Sequence, residues 1–452
     1  MNKNKCSTGI DELDALLEGG FFRGTIILLA GHPGVGKTTF GAQFIWNGLE
    51  KFSESGVYIS FSEPKFEFYR HMKALGFDFE KYEKQRKFTF IDALPTISLE
   101  EFEKLLARLF EIAYETDAKR VVMDSITALT GTVDPSKARI LLQNTIIKPF
   151  KSLGIVLLLI ADLPHGQEAI GYGFEEFLAD AVLKMILDES RGLVRRVLMI
   201  HKVREHPVPR IGYEFVIESG GIRLFTPLEL GLKGSFTRER LSSGIPSLDD
   251  MLGGGIFKGS ITLISGPSGT GKTMLSMSFA LAGALHGEKV VYISFEEPSE
   301  QLQLLIKNLG YNFESIKDYL EILSLSPRLF TPGTIYNLVE KILKEKSPQR
   351  LVIDGLTALE RQYPKREYLE LVRSIAILCK IRGVTTYFTS LKNIIKDEIA
   401  EISTMTDNII ALWFDYEREK IERKITILKS RGSKHDLGKR NLSFAEGKIL
   451  IT

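Results

Sequence analysis

The sequence predicts an α/β protein built from two tandem copies of one unit, each a mainly parallel twisted sheet flanked by helices. Three observations carry this. The chain repeats itself once from end to end. Within each copy, short β-branched runs alternate with amphipathic stretches. In each copy a glycine-rich turn joins one such run to a stretch of helical pattern.

The repeat is the plainest of the three. Residues 8–38 read TGIDELDALLEGGFFRGTIILLAGHPGVGKT, and residues 243–273 read SGIPSLDDMLGGGIFKGSITLISGPSGTGKT, with no gap between them. In the same order VYISFSEP (57–64) matches VYISFEEP (291–298), and RVVMDSITAL (120–129) matches RLVIDGLTAL (350–359). FLADAVL (177–183) then matches TMTDNII (404–410), and IHKVRE (200–205) matches ILKSRG (427–432). A unit of roughly 225 residues is long enough for its own core and far too long for a solenoid repeat. The expected domains are 1–230 and 231–452, with the seam at the glycine-containing segment 228–237. TIILLAG, GVYISFS, RVVMDS and GIVLLLIAD read as buried parallel strands. The stretches 99–116 and 336–346 read as helices.

Composition excludes several classes. Of 452 residues 44% are hydrophobic and 26% charged, which are globular values. No apolar run nears the ~18 residues of a membrane span, and the polar N-terminus has no signal-peptide core. Two distant cysteines, Cys6 and Cys379, make neither a disulfide framework nor a cysteine zinc site, so a cytoplasmic setting is expected. Lys plus Arg number 59 against 57 Asp plus Glu, a balance unlike that of a nucleic-acid coat protein.

The strongest chemical signal is G-x-x-x-x-G-K-T, at 31–38 and again at 266–273. Each follows an expected strand and opens an expected helix, the context this motif needs. Glycines let backbone N–H groups turn inward around phosphate oxygens, and the helix N-terminus adds partial positive charge. The candidate nucleotide-binding residues are Gly31, Gly34, Val35, Gly36, Lys37, Thr38 and Thr39. Their second-copy equivalents are Gly266, Gly269, Thr270, Gly271, Lys272, Thr273 and Met274. The lysine reaches the terminal phosphates, and Thr38 and Thr273 ligate Mg²⁺. Asp124 and Asp354 each end an apolar run and are the candidate metal carboxylates.

Hydrolysis also needs a carboxylate near the γ-phosphate. Glu296 and Glu297, which end the run VYISF, are the candidates; the first copy has Ser62 and Glu63 there, and since serine cannot act as a carboxylate base, Glu63 is its one candidate. The plain alternative is surface charge before Pro64 and Pro298. Lys202 and Arg204 match Lys429 and Arg431 in a K-x-R alternation that puts both side chains on one strand face. Far from the phosphate loop in sequence, they could clamp phosphate in an adjacent subunit. The plain alternative is a solvated strand edge.

Together the GIxxLDxLLxGG lead-in, the paired phosphate loops, the Glu-Glu strand end and the KxRG strand end resemble KaiC, the two-domain member of the RecA/DnaB-type ATPase superfamily. The resemblance spans nearly the whole chain. It implies a RecA-like fold in each copy, a hexameric double ring and ATP between subunits. It implies that Glu296 and Glu297 are catalytic, and that Lys429 and Arg431, like Lys202 and Arg204 in the other ring, reach a neighbour's γ-phosphate. It also implies autophosphorylation on adjacent hydroxyls, which here are Ser403 and Thr404 in EISTMTD; the first copy has Glu176 and Phe177. Without the resemblance, Ser403-Thr404 reads as a cap before the strand NIIAL.

The sequence departs from the family pattern at Ser62, at KVRE in place of KxRG, and at Thr452, where it stops short of the longer tail through which the clock protein binds KaiA. The resemblance therefore carries no expectation of a KaiA-type partner or of a clock role. Two other functions compete with a signalling ATPase. A DNA recombinase or helicase would need basic-plus-aromatic loops, but 162–177 is acidic and 390–405 mixed. An ATP-gated scaffold fits Ser62 in the first ring.

Overall fold

The computed structural model describes residues 4–93, 99–127, 135–163, 175–189, 193–204, 212–226, 237–392, 400–416, 420–445 and 447–452. The chain divides into two compact units, Met1–Thr226 and Pro227–Thr452. Most of the expected seam, and the middle of both loops weighed for single-strand binding, lie outside the described residues.

In the first unit a small two-stranded sheet pairs β1 (Lys5–Cys6) with β2 (Phe21–Phe22). The main strands are β3 (Ile26–Gly31), β4 (Ser55–Ser60), β5 (Phe88–Asp92), β6 (Ala118–Asp124) and β7 (Val156–Asp162). They continue with β8 (Ala181–Asp188), β9 (Arg195–Val203), β10 (Gly212–Glu218) and β11 (Gly221–Leu224). Among the described residues these nine form one sheet in the order β11-β10-β9-β8-β3-β7-β6-β4-β5. The run from β8 to β5 is parallel; β9, β10 and β11 extend it antiparallel.

The second unit repeats this plan. Its small sheet is β12 (Arg240–Leu241) with β13 (Ile256–Phe257). Its main strands are β14 (Ile261–Ser265), β15 (Val290–Ser294), β16 (Leu320–Ser324), β17 (Arg350–Asp354) and β18 (Thr385–Ser390). There follow β19 (Asn408–Asp415), β20 (Glu422–Ser430), β21 (Arg440–Ala445) and β22 (Lys448–Ile451). The order β16-β15-β17-β18-β14-β19-β20-β21-β22 is that of the first unit read from its other edge. These are the two tandem, mainly parallel α/β units that the repeat predicts.

The core follows from strand periodicity. Ile27 and Leu29 of β3 enter one buried cluster, while Ile26, Leu28 and Ala30 enter another across the sheet. Because successive side chains point to opposite faces, an unbroken apolar run means both faces are covered. The helix expected over 99–116 spans Leu99–Glu115. The one expected over 336–346 begins earlier, at Pro332, and ends at Glu345. Its start is set by a reciprocal Thr331–Thr334 capping box, a signal weaker in sequence than the apolar period. Both cysteines are free and buried. No described helix is long and apolar enough to cross a membrane.

Candidate functional site

The phosphate loops lie where β3 and β14 give way to helices, Lys37–Phe52 and Lys272–Leu285. Gly36 (φ 112°) and Gly271 (φ 103°) precede these helices in left-handed conformation. A side chain there would be strained, and at Gly271 its Cβ would lie 2.3 Å from the Phe444 ring. Val35 and Thr270 are fully buried, so their side chains are structural and only their backbone can face a ligand. Met274 packs against the core, and Thr39 is half-buried.

Lys37 and Lys272 are buried. Lys37 donates to the carbonyls of Gly31 (2.8 Å) and His32 (3.0 Å) and pairs with Asp162 (3.0 Å). Lys272 donates to the Pro267 carbonyl at 2.9 Å. Burial pushes the Lys272 ammonium below its ordinary pKa, against the charges of Asp354 and Glu296.

Asp124 and Asp354, both buried, close β6 and β17 beside these loops. Thr38 Oγ1 donates to Asp124 at 2.7 Å, so the two candidate metal ligands of the first unit touch. No such contact joins Thr273 to Asp354 among the described hydrogen bonds; Asp354 instead accepts from Thr389. Tyr58 and Tyr292 each donate to the aspartate at 2.7 Å. Burial raises the Asp124 pKa, with Thr38 and Tyr58 opposing.

The carboxylates after VYISF reach the same end of the sheet, because β4 and β15 run parallel beside β6 and β17. Ser60 and Ser294 accept the backbone N–H of Glu63 (3.0 Å) and Glu297 (2.9 Å), tying the turn to its strand. Burial raises the Glu63, Glu296 and Glu297 carboxyls; Asp354 adds to the rise at the last two, and His71 opposes it at Glu63. Glu296 lies against Gly355, whose left-handed backbone (φ 96°) and missing Cβ leave it room.

Lys202, Arg204, Lys429 and Arg431 lie elsewhere. Arg204 N–H donates to the Asp180 carbonyl, and Asp180 accepts from Ile26 N–H at the start of β3. Arg431, Asp407 and Ile261 repeat this. The basic pair therefore sits one strand length from its own phosphate loop, roughly 16 Å at ~3.3 Å per residue. Lys429 Nζ donates to the carbonyls of Ser403 and Thr406, and Arg431 to that of Thr404 at 3.3 Å. Lys202 likewise holds Ala179 O at 2.8 Å. Burial, then the neighbouring arginine, lowers both lysines' pKa. Ser403 and Thr404 belong to a short helix, Ala400–Met405, at that same far end.

Sequence reasoning missed several members. A β-bulge interrupts β8–β9 at Val182/Leu183 and β19–β20 at Ile409/Ile410, beside Lys202 and Lys429. Bulges re-aim side chains but have no sequence signature here. Tyr58, Tyr292, Ser60 and Ser294 were visible only as identities in the repeated VYIS. Asp162 and His71 have no counterpart in the second copy, so the repeat could not flag them. Among the described residues no three metal-ligating His, Cys, Asp or Glu side chains cluster.

Fold and site define a tandem P-loop ATPase of RecA-like architecture. Comparison with known proteins narrows this. The family model "ATPase: KaiC" matches the chain twice, at residues 6–229 and 241–452, and the chain belongs to the KaiC family. It is similar to the circadian clock protein KaiC3 of Synechocystis sp., at 31% identity over 97% of this chain and 90% of that protein. It is also similar to the circadian clock oscillator proteins KaiC of Picosynechococcus sp. (30% identity; 99% of this chain, 89% of the relative) and of Parathermosynechococcus lividus (31%; 99% and 85%).

Proposed function

We propose that the protein is a Mg²⁺-dependent ATPase that assembles as a ring, with domains 1–230 and 231–452 each contributing a nucleotide site between subunits. One observation carries this reading. In each unit the phosphate loop and carboxylates lie at one end of the sheet and the Lys-Arg pair at the other. A phosphate cannot touch both within one unit, but a head-to-tail neighbour supplies the missing half, and such interfaces close into rings.

Gly31, Gly34 and Gly36, with Gly266, Gly269 and Gly271, cradle phosphate oxygens. Lys37 and Lys272 neutralise the terminal phosphates. Thr38 with Asp124, and Thr273 with Asp354, would hold Mg²⁺. A single carboxylate and a hydroxyl suit this ion, which keeps waters and completes its shell from phosphates. When bound, it withdraws charge from the β- and γ-phosphates. In the second unit Glu296 and Glu297 orient the attacking water and take its proton; in the first, Glu63 is the base. Lys429 and Arg431 would leave their carbonyls to meet a neighbour's γ-phosphate; Arg431, half exposed, would also leave its ion pair with Asp407.

Ser403 and Thr404 lie at the same end as Lys429 and Arg431, so phosphoryl transfer to them would also use a neighbour's ATP. This makes the second ring a self-phosphorylating regulatory switch. The test is incubation with Mg²⁺ and γ-labelled ATP. The reading expects label both in free phosphate and on the protein, the latter lost in S403A/T404A. Free phosphate alone removes the switch, and no turnover removes the enzyme.

A second reading of the first unit, an ATP-gated scaffold in which Glu63 turns ATP over slowly, draws support from Ser62 and from the Lys37–Asp162 pair. It expects K37A to dissolve the ring with little loss of turnover; intact rings in K37A would count against it.

A further inference from the structure

We infer that His71 is a positioning residue for Glu63, a hydrogen-bonded support that the first unit carries in place of the second glutamate of its partner domain. The inference rests on the reading of Glu63 as the first unit's base.

Two differences between the copies fall at the same turn. Strand ends β4 and β15 and the helices after them, Lys65–Ala74 and Ser299–Asn308, align without a gap. Where the second unit has Glu296 the first has Ser62; where the second has Leu305, packed on the core, the first has His71. The unit with one carboxylate fewer carries an imidazole about two helical turns along, on the face that looks back at the turn.

The contact is direct. His71 Nδ1 lies 2.6 Å from Glu63 Oε1. Arg70 lies 3.4 Å from His71 Nε2, and a guanidinium only donates, so Nε2 accepts and the proton sits on Nδ1, aimed at the carboxylate. Glu63 is thus fixed at both ends: Ser60 holds its backbone N–H, and His71 holds Oε1. Oε2 remains for water. The other titratable groups facing Glu63 are Asp124 on β6, Glu67 on the helix that carries His71 and Tyr58 on β4. Asp124 and Glu67 favour its protonated form, and His71 opposes them.

In the step so supported, the water oxygen bonds to the γ-phosphorus and the bond to the β,γ-bridging oxygen breaks. ADP leaves with that electron pair, and the water proton passes to Glu63 Oε2. His71 keeps its own proton and fixes the carboxylate's orientation, which makes it positioning rather than catalytic.

The experiment uses the full chain in an E296Q/E297Q background, so that turnover reports the first unit. H71L, which copies the second unit, should lower kcat about ten- to a hundredfold at nearly constant KM. It should also move the acid limb of the kcat–pH profile to higher pH, because burial of Glu63 is then unopposed. H71N, whose amide can still donate, should recover most of the rate. If H71L keeps kcat within about twofold and the limb in place, the inference falls while the reading of Glu63 stands. A loss of kcat with no limb shift and no recovery in H71N marks mere structural damage and also overturns it. E63Q in the same background separates the two ideas: if it leaves turnover unchanged, or if the background has none, the reading itself fails.

Discussion

Glu296 and Glu297 sit half-buried beside Asp354, and both features favour the protonated acid. A base works only when ionised, so the sign is fixed. Second-unit turnover, measured in an E63Q background, should fall on acidification at a pH above the ordinary glutamate range. An acid limb at or below the free-glutamate value would contradict the assignment. Room matters as much as charge here. A Cβ at Gly355 would stand 2.8 Å from Glu296 Cγ, and the first unit has Ser125 at that place, opposite the small Ser62. Restoring the glutamate should therefore need both changes. S62E alone should leave first-unit hydrolysis near its starting rate, whereas S62E/S125G should raise it severalfold. Equal rates in the two variants would show that Ser125 is no obstacle.

At the scale of elements, one ion pair with a buried arginine recurs at the foot of the strand that ends in Asp124 or Asp354. Arg120, 1% exposed, donates to Glu54 (2.7 Å) and to the carbonyls of Ser7 (2.8 Å) and Phe44 (2.7 Å). Arg350 binds Glu288, Ser242 O and Phe279 O in the same way. Each guanidinium ties strand, phosphate-loop helix and lead-in together, which keeps the loop in register with Asp124 or Asp354. R120L takes the buried partner from the half-buried Glu54 and should cost about 3 kcal/mol, the low end for a broken buried pair because Arg23 still reaches Glu54. Denaturant unfolding of the first unit reads this. Although burial raises the Glu54 pKa, its arginine partners outweigh that and bring it below 4.5. Its stabilisation is thus present above pH 4.5 and is lost as pH falls through the lowered value; R120L should flatten that acid limb. The arginines stand in the quoted repeats RVVMD and RLVID. Their function was illegible there because Glu54 and Glu288 lie more than 60 residues upstream.

At the scale of the whole molecule, the proposed ring makes a prediction about assemblies. K272A subunits lack the phosphate-loop lysine, and K429A/R431A subunits lack the far-end pair; each alone should be inactive in the second ring. A one-to-one mixture assembled together should recover about a quarter of wild-type second-ring turnover, the chance that an intact loop meets an intact pair across a head-to-tail interface. No recovery would place both halves in the same chain.

The sequence alone determined the two-fold repeat, the parallel strands of each sheet and the phosphate loops. It did so because these depend on local chemistry: apolar period, glycine where the backbone must be left-handed, and lysine at a helix start. It also carried the KaiC resemblance, since those residues recur at fixed spacing. Only the tertiary structure decided which groups share an end of the sheet. Strand order and direction set Glu63 beside Asp124 but hold Lys202 and Arg204 a strand length from Lys37. The same folding brought His71 to Glu63, Asp162 to Lys37 and Arg120 to Glu54. Those pairs join separate elements, so their physical basis is the packing of the sheet rather than any property of neighbouring residues in the chain.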